Sequence, residues 1–309
     1  MPHPQADVAL LTERRYAAAT APDDDWYFAN ILREARLLQQ ALGDLGLSSV
    51  RVNWADPDVD WSSFQCAVFR TTWDYFDRFS AFTDWLERVQ QQTVLCNNPS
   101  LIAWNLDKHY LADLHERGIP VVPSRFLEPG STIDLHALLA DAGWDAGVIK
   151  PCVSGAGRHT YRFHRGNVDE IESTIRPLLA SESFLVQPFL QDVVDTGEDT
   201  LMVFDGTFTH AVRKVAQEGD FRVQDDHGGT VHTYQPTDAQ IELAERAMQA
   251  CTPEPAYGRV DMVRDSDGRW VVMEVELIEP ELWLRHHPPA AQHFARAIAD
   301  YMDARHAPH

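Results

Sequence analysis

Short apolar runs alternate with longer amphipathic stretches over roughly the first hundred residues of the chain. The short runs are typical of buried strands, whereas the longer stretches repeat their apolar positions with the spacing of a helix. Such alternation predicts a parallel, doubly wound sheet. We predict strands at Asp7–Leu11, Ser49–Trp54, Cys66–Arg70 and Thr93–Cys96, and helices at Tyr27–Leu42 and Phe79–Gln92.

After residue 100 the pattern changes to further helices and to hairpins. Gly118 is a typical C-terminal stop for the helix before it, and from Glu198 onwards the strands are predicted to be mostly antiparallel. The predicted fold class is therefore α/β, with α+β as the alternative. We predict helices at Ser100–Arg117, Asp134–Ala142, Asp169–Leu179 and Asp238–Cys251, and strands at Gly147–Pro151, Thr160–His164 and Phe184–Phe189.

Two apolar runs near the C-terminus, each typical of a buried strand, contain carboxylates, which are unusual in a buried strand. They flank Asp267-Gly268, a dipeptide typical of two-residue β-hairpin loops. Counting outwards from that loop places Asp261 opposite Glu274 and Arg259 opposite Glu276, on one face of the hairpin. Clustered carboxylates are costly to bury unless a cation joins them, so a divalent metal is the leading candidate. The other face carries four apolar residues, Val260, Met262, Met273 and Val275.

A second hairpin is predicted around Asp205-Gly206. With these two residues as the loop, Glu198 falls opposite Arg213. Arg213 or its neighbour Lys214 then forms a surface ion pair of small energetic value, or faces the phosphates of a ligand. Arg222 lies between two candidate site strands, where a solvated position and a functional one are equally good interpretations.

Lys150 stands at the end of an apolar strand, shortly before the glycine-containing segment Ser154–Arg158. This segment matches neither the dinucleotide-binding fingerprint nor a Walker A sequence. Successive backbone N–H groups in such a turn can form an anion-binding nest, to which Lys150 and Arg158 add charge. On turn chemistry alone, a plain β-hairpin is the stronger interpretation.

Two more segments are candidates for ligand binding. The segment Arg70–Tyr75 follows the carboxyl end of a predicted parallel strand, where ligands of such sheets bind. The alternative is a surface turn whose aromatic side chains pack into the core. In the segment 184–190, Pro188 cannot donate to a strand ladder, so free backbone groups beside apolar side chains are available to an adenine ring. The alternative there is an edge strand.

Composition and charge argue against several classes of protein. A formal net charge of -21 does not suit a basic nucleic-acid-binding face. The N-terminus lacks the features of a signal peptide, and no apolar run reaches the roughly 18–20 residues of a membrane span. The histidines do not have zinc-ligand spacing, and no GxSxG elbow is present. Free thiols in a reducing cytoplasm are predicted for the four widely spaced cysteines, Cys66, Cys96, Cys152 and Cys251.

Taken in order, these motifs resemble an ATP-grasp enzyme. A lysine precedes a small domain. It is followed by a lysine-proline strand with a glycine-rich loop, and then by a hinge, basic residues and paired acids. The resemblance covers residues 100–285 or so, and it implies ATP and two Mg²⁺ ions as cofactors, with Mn²⁺ as a substitute. It also implies three parts: an N-terminal α/β substrate-binding domain at 1–100, a small lid domain at 101–188 and a C-terminal antiparallel catalytic domain at 189–309.

Carried over by position, the resemblance implies a role for each candidate residue. The ATP phosphates would be held by Lys108 and Lys150, and covered by a lid loop containing Ser154, Gly155, Gly157 and Arg158. The adenine would lie against Gln187, Phe189 and Leu190, and the ribose against Glu198. The metal ions would be bound by Asp261, Glu274 and Glu276, and the transferring phosphate stabilised by Arg259, Arg213 or Arg222. The substrate would be placed by Arg70, Thr72, Trp73, Asp74 and Tyr75, with Glu279 binding its ammonium group.

One position departs from the family pattern. Many members, such as glutathione synthetase and D-alanine–D-alanine ligase, end the acid strand with Glu-x-Asn, whereas this chain has Glu274-Val275-Glu276. The extra charge alters the second metal site. The Arg-x-x-Trp-Asp-Tyr loop and the Glu-Leu-Ile-Glu-Pro ending are similar to a branch that contains the O-ureido-serine cyclo-ligase of cycloserine biosynthesis.

The resemblance implies a cytoplasmic carboxylate–amine ligase, monomeric or homodimeric, that acts on a small amino-acid-like substrate through an acyl-phosphate. Intramolecular ring closure is a special case of this reaction. Two other classes stay open. One is a non-enzymatic nucleotide- or metabolite-binding protein with a structural acid cluster, and the other is a metal-dependent hydrolase that uses the same acids.

Overall fold

The structure is a computed structural model that describes residues 6–155, 157–217, 219, 222–223 and 228–306. Ala156 of the glycine-rich segment and residues 224–227 beside Arg222 lie outside the described residues. The described chain is built on three sheets, one parallel and two antiparallel. This confirms the predicted mixture of α/β and α+β structure.

The first sheet occupies the N-terminal hundred residues. Its elements are β1 (Val8–Thr12), α1 (Trp26–Asp44), β2 (Ser49–Asn53), β3 (Cys66–Thr71), α2 (Phe79–Val89) and β4 (Val94–Cys96). The four strands are parallel in the order β2-β1-β3-β4. Leu10 of β1 packs in a core with Leu38 of α1, whereas the adjacent Leu11 packs with Phe82 of α2. Because side chains alternate along a strand, the helices cover opposite faces, as predicted for a doubly wound sheet.

The prediction of a single helix at Ser100–Arg117 is wrong. Two helices occupy this stretch, α3 (Pro99–Asn105) and α4 (Tyr110–Glu116). The Asp107 carboxylate accepts a hydrogen bond from the backbone N–H of His109 at 3.0 Å, and the N–H of Lys108 donates to the carbonyl of Cys152 at 3.0 Å. Both bonds compete with helical pairing. The break turns Lys108 towards the second sheet.

The second sheet is antiparallel, in the order β5-β8-β6-β7. This part of the chain consists of the four strands and two helices. In order they are β5 (Arg125–Leu127), α5 (Leu135–Ala142), β6 (Ala146–Pro151), β7 (Tyr161–His164), α6 (Val168–Ile175) and β8 (Phe184–Pro188). The two helices share a core with the sheet through Leu139, Ile175, Phe163 and Phe184. Lys150 therefore lies on a rigid central strand.

The third sheet is also antiparallel, in the order β11-β10-β9-β12-β13. Its elements are α7 (Asp192–Asp195), β9 (Glu198–Phe204), β10 (Thr207–Val215), β11 (Thr230–Tyr234), α8 (Asp238–Gln249), β12 (Tyr257–Arg264) and β13 (Trp270–Glu276). Helix α8 packs on one face through Leu243 and Ala247, in a core with Leu201 and Val260. The opposite face is free to carry charged side chains.

The β12–β13 hairpin has the predicted register where the acids stand. Asp261 pairs with Glu274, and Arg259 pairs with Glu276. The loop is nevertheless longer than predicted, because Asp265 donates its N–H to the Arg269 carbonyl at 2.9 Å and three residues lie between them. A bulge at Met273 restores the register, and Met273 lines the cavity described below while it packs against a small apolar cluster that includes Val263 and Val271.

The predicted pairing of Glu198 with Arg213 is wrong. The β9–β10 hairpin has the expected Asp205-Gly206 loop, and both residues have positive φ. A bulge at Thr209 then shifts the register by one residue, so that Glu198 pairs with Lys214 and Arg213 pairs with Asp199. A one-residue shift moves a side chain to the other face of the sheet.

The C-terminal helix α9 (Ala290–His306) joins the first and third sheets. Its Phe294 and Ile298 share a core with Val8 of β1 and Met202 of β9. No helix in the described part of the chain combines the length and the apolar composition needed to cross a bilayer.

Asn97 links the first and third sheets through buried hydrogen bonds. Its side chain donates to the carbonyls of Tyr257 at 2.9 Å and Leu277 at 2.7 Å, and accepts from the N–H of Ala256 at 2.7 Å. Asn97→Ala leaves these buried groups unpaired, so we expect the free energy of unfolding to fall by about 3–5 kcal/mol in urea titrations. Asn98→Ala, which removes only an exposed helix cap, should cost about 1 kcal/mol. Equal losses would contradict this account.

Candidate active site

A cavity of about 900 Å³ lies where the three sheets meet. Its volume lies within the range of small-molecule sites. Each sheet supplies part of the wall, with Trp73 following the first, Lys150 on the second and Glu274 on the third. The candidate residues that the structure brings together here are Trp73, Asp74, Tyr75, Lys108, Lys150, Ser154, Gly155, Gly157, Gln187, Phe189, Leu190, Glu198, Arg222, Arg259, Asp261, Glu274, Glu276 and Glu279.

The floor of the cavity is a buried network of charges centred on Asp261. Arg259 donates to both Asp261 carboxylate oxygens at 2.9 Å, and its Nη2 lies 2.5 Å from Oε2 of Glu276. Lys214 lies 3.1 Å from Asp261 and also pairs with Glu198. Burial alone would raise the pKa of Asp261, but Arg259 and Lys214 hold that pKa well below its usual range. Burial raises the pKa of Glu198 to about 7, against the attraction of Lys214.

Glu274 is the carboxylate of this network that meets the lysines of the second sheet. Its carboxylate lies 3.2 Å from Nζ of Lys108, which also donates to the Ser154 carbonyl at 2.9 Å. Lys150 lies nearby, is half-buried and has neither a hydrogen-bond nor an ion-pair partner among the residues that the structure describes, although Glu274 attracts it. Burial lowers the pKa of Lys150. A half-buried ammonium group without a short-range partner is suited to receive an anion.

The end of the cavity beside the second sheet is apolar. Phe189 and Leu190 follow β8, and Gln187 is held by a hydrogen bond to the Ser124 hydroxyl at 3.1 Å. Four valines complete this part of the wall, and sequence reasoning missed them because nothing distinguishes them from core residues. They are Val122, Val148, Val193 and Val223.

The opposite end is lined by aromatic rings and carboxylates. The Trp73 indole N–H donates to the backbone carbonyl of Glu279 at 3.1 Å, and its ring contacts Tyr16 and Tyr27 with centroids 5.7 and 6.0 Å apart. The Glu279 side chain is buried, and its Oε2 has no hydrogen-bond partner within the described chain. Burial, reinforced by Glu276, raises the pKa of Glu279 well above its usual value.

Tyr16 and Tyr27 were missed at the sequence level, although a signal for Tyr16 existed. Tyr16 follows the carboxyl end of β1, the same kind of position that singled out Trp73 after β3. Applying that rule to every parallel strand would have found it. Tyr27 lies in the first turn of the next helix, and its contact with Trp73 could not be predicted without the fold.

Arg70 and Thr72 are not in the cavity wall. Arg70 donates to the carbonyl of Pro280 at 3.1 Å and lies over the Phe294 ring. Thr72 is fully buried. Both side chains point from the end of β3 into the protein, so the geometry does not support the direct substrate contact predicted for them.

Arg158 and Arg213 also lie outside the cavity wall. Arg158 forms a bidentate pair with Glu182 at 2.8 and 3.1 Å. Arg213 forms one with Asp199 at 2.6 and 3.0 Å on the α8 side of the sheet, where it lies over the Tyr234 ring. Of the two predicted alternatives for facing the ligand, Lys214 lines the cavity and Arg213 does not.

Glu13 gives the cavity a pH-dependent component. Burial, together with the charge of Asp74, raises the pKa of Glu13 to about 7. Since this folded-state pKa exceeds the unfolded value, stability falls as the pH rises towards 7 and Glu13 loses its proton. Glu13→Gln should therefore raise Tm more at pH 8 than at pH 5, by about 2 °C for a half-exposed, screened group. Thermal unfolding measured at pH 5 and at pH 8 tests this prediction. The control is Glu87→Gln, on the exposed face of α2. A gain in Tm that does not depend on pH would contradict the prediction.

Comparison with known proteins identifies the class. Residues 135–281 match the RimK-like ATP-grasp domain, and residues 8–97 match the N-terminal domain of D-cycloserine synthetase DcsG. An ATP-bound D-alanine–D-alanine ligase from Bacillus anthracis has the same fold, with a TM-score of 0.66 at 15% identity, over 97% of this chain and 98% of that one. The chain belongs to the ATP-grasp family of ligases, enzymes that use ATP and Mg²⁺ to form C–N bonds.

Within that family the chain is similar to the cycloserine biosynthesis protein DcsG of Streptomyces lavendulae. The two are 34% identical over 283 residues, which cover 85% of this chain and 92% of the relative. The crystal structure of D-cycloserine synthetase DcsG superimposes with a TM-score of 0.82 at 30% identity, over 96% of this chain and 99% of that one.

Proposed function

We propose that this protein activates the carboxylate of a small amino-acid derivative with ATP and closes a ring by intramolecular C–N bond formation, converting O-ureido-serine to cycloserine. The observation that carries the proposal is the single cavity that joins an apolar end, a floor of paired acids and cations, and an end with aromatic rings and Glu279. The similarity to D-cycloserine synthetase DcsG, which extends over nearly the whole of both chains, supports the same substrate.

The acid cluster fits magnesium. Asp261, Glu274 and Glu276 offer the carboxylate oxygens that Mg²⁺ prefers, and they share one face of a rigid hairpin. Lysine and arginine side chains pair with these acids. With MgATP bound, the acids would hold two Mg²⁺ ions, for which Mn²⁺ can substitute, and the lysine and arginine side chains would be available to the phosphates. The metal ions would neutralise the charge of the transferring phosphate.

The nucleotide is assigned to the side of the cavity formed by the second sheet. Lys108 and Lys150 would hold phosphates, and backbone N–H groups of the segment 154–158 would cover them. The adenine would lie against Gln187, Phe189 and Leu190, where four valines provide an apolar surface. Glu198 is the candidate ribose ligand, although its pairing with Lys214 also places it in the charge network.

The substrate is assigned to the aromatic end. The free Oε2 of Glu279 is suited to the substrate ammonium group, and the ring of Trp73, fixed by the Glu279 carbonyl, can pack against the same cation. Asp74 and Tyr75 line the cavity beside them. Arg259 and Arg222 are positioned to meet the charge that develops on the transferring group.

The reaction takes place in two displacements. A substrate carboxylate oxygen bonds to the γ-phosphorus of ATP and ADP leaves, giving an acyl-phosphate. The oxygen-bound ureido nitrogen then bonds to the acyl carbon, its proton is lost to solvent or a protein base, and phosphate departs with the C–O bond electrons. Loss of the carbamoyl group to water, as carbon dioxide and ammonia, completes the conversion. The protein aligns the reacting atoms and keeps water from the acyl-phosphate.

Incubation with MgATP and O-ureido-serine, followed by mass spectrometry, tests the proposal. We expect one ADP and one phosphate for each ring closed, with no need for a second amine. Metal-dependent hydrolysis of the substrate with no nucleotide requirement would indicate a metal-dependent hydrolase. Nucleotide binding without turnover, across a panel of amino-acid derivatives, would indicate a binding protein.

A further inference from the structure

The glycine-rich segment contacts the candidate substrate loop directly. A methyl group on Gly155 would lie 2.7 Å from Cε1 and 3.1 Å from Cδ1 of Phe76. No side-chain carbon approaches another atom that closely without something moving, so a larger residue at this position would displace either the segment or the Phe76 ring. Gly157, by contrast, has a φ of +68° and serves the turn itself.

Phe76 belongs to the substrate side of the cavity. It follows Tyr75, and the two rings meet edge to face with centroids 5.6 Å apart. Phe76 is partly buried against the core that underlies the first sheet, and it lines the cavity together with Trp73 and Gly155. Its ring is therefore shared between the substrate loop and the glycine-rich segment.

The contact continues to the acid cluster. Ser154, next to Gly155, accepts a hydrogen bond from Lys108 at 2.9 Å, and Lys108 pairs with Glu274 at 3.2 Å. A continuous series of contacts thus runs from Tyr75 through Phe76 and the glycine-rich segment to a candidate metal ligand.

A charged contact runs beside this one but is weaker. Arg158 lies 3.9 Å from Asp77, whose side chain is 64% exposed, while its stronger partner is Glu182 at 2.8 Å. Exposed ion pairs contribute little to stability, so the inference rests on the packing of Phe76 on Gly155.

We propose that Phe76 is a positioning residue that couples the two ligands: substrate bound against Trp73 and Tyr75 fixes the Phe76 ring, and this ring holds the glycine-rich segment closed over the phosphates. The inference rests on the proposed function, because coupling requires both ligands in one cavity. Its consequence is that the acyl-phosphate is protected from water only while the Phe76 ring keeps its contact with the glycine-rich segment.

Three variants test the inference: Gly155→Ala, Phe76→Leu and the double variant. Gly155→Ala forces the segment away from Phe76, and we expect kcat/KM to fall about 10–100-fold and product formed per ADP to drop, because the acyl-phosphate becomes open to hydrolysis. Phe76→Leu alone should be milder. In the double variant the smaller leucine leaves room for the methyl group, so most of the activity and of the product per ADP should return.

The ratio of product to ADP distinguishes coupling from a merely structural role, which would lower activity without changing the ratio. Phe79→Leu is the matched control, since Phe79 is 38% exposed at the start of α2. A Gly155→Ala enzyme with the wild-type ratio, or a double variant no better than Gly155→Ala, would overturn the inference. A wild-type enzyme that forms no ATP-dependent product would instead overturn the proposed function.

Discussion

Glu274→Gln is expected to lower kcat/KM about 10³-fold, because the variant would lose a proposed carboxylate ligand for the metal where phosphate charge develops. The Glu274 side chain is 30% exposed to the cavity and pairs with Lys108 at 3.2 Å. Glutamine keeps its shape, so no cavity forms in the hairpin. Steady-state kinetics over a Mg²⁺ titration should show that the variant also needs more Mg²⁺.

The matched control is Glu242→Gln, the same chemical change on the exposed face of α8. It should leave both kcat/KM and the Mg²⁺ requirement unchanged. If Glu274→Gln kept wild-type activity at ordinary Mg²⁺ concentrations, Glu274 would not be a metal ligand.

Lys150→Met is expected to separate activity from stability. The half-buried Lys150 ammonium group has no close partner within the described chain, and burial lowers its pKa, so the protein should lose no stability when this charge is removed. Methionine has a similar length and no charge. We expect Tm to stay level or rise while kcat/KM falls about 10²–10³-fold, since a phosphate-binding cation is lost.

Lys108→Met is the comparison for this prediction. Lys108 pairs with Glu274 and bonds to the Ser154 carbonyl, so its loss should lower both stability and activity. Thermal unfolding and initial rates measure the two effects. A Lys150→Met protein that is clearly less stable would show that Lys150 has a structural role instead.

The two hairpins show what a sequence pattern can and cannot predict about register. Counting from Asp267-Gly268 paired Asp261 with Glu274 correctly, but only because the longer loop and the bulge at Met273 offset each other. The same counting from Asp205-Gly206 failed by one residue at the bulge after Phe208. Bulges depend on the packing of neighbouring strands, which the alternation of one strand does not record.

The one-residue register shift in the β9–β10 hairpin explains why the side chain predicted to face the acids was wrong. The predicted register turned Arg213 to the acids, whereas the structure places Lys214 there and Arg213 against Asp199. The motifs that carry the charges, Lys150 and the acid strand, were predictable because each is local. Residues that meet only through the fold, such as Tyr27 with Trp73, were not, since no local pattern joins distant segments.

The central claim is that ATP activates a substrate carboxylate, and an isotope transfer measures this directly. The enzyme would be given MgATP and O-ureido-serine labelled with ¹⁸O in both carboxylate oxygens, and the released phosphate analysed by mass spectrometry. Formation of an acyl-phosphate followed by attack of nitrogen moves one ¹⁸O from each substrate molecule into phosphate, and that is the predicted result. Ring closure with unlabelled phosphate would contradict the proposal.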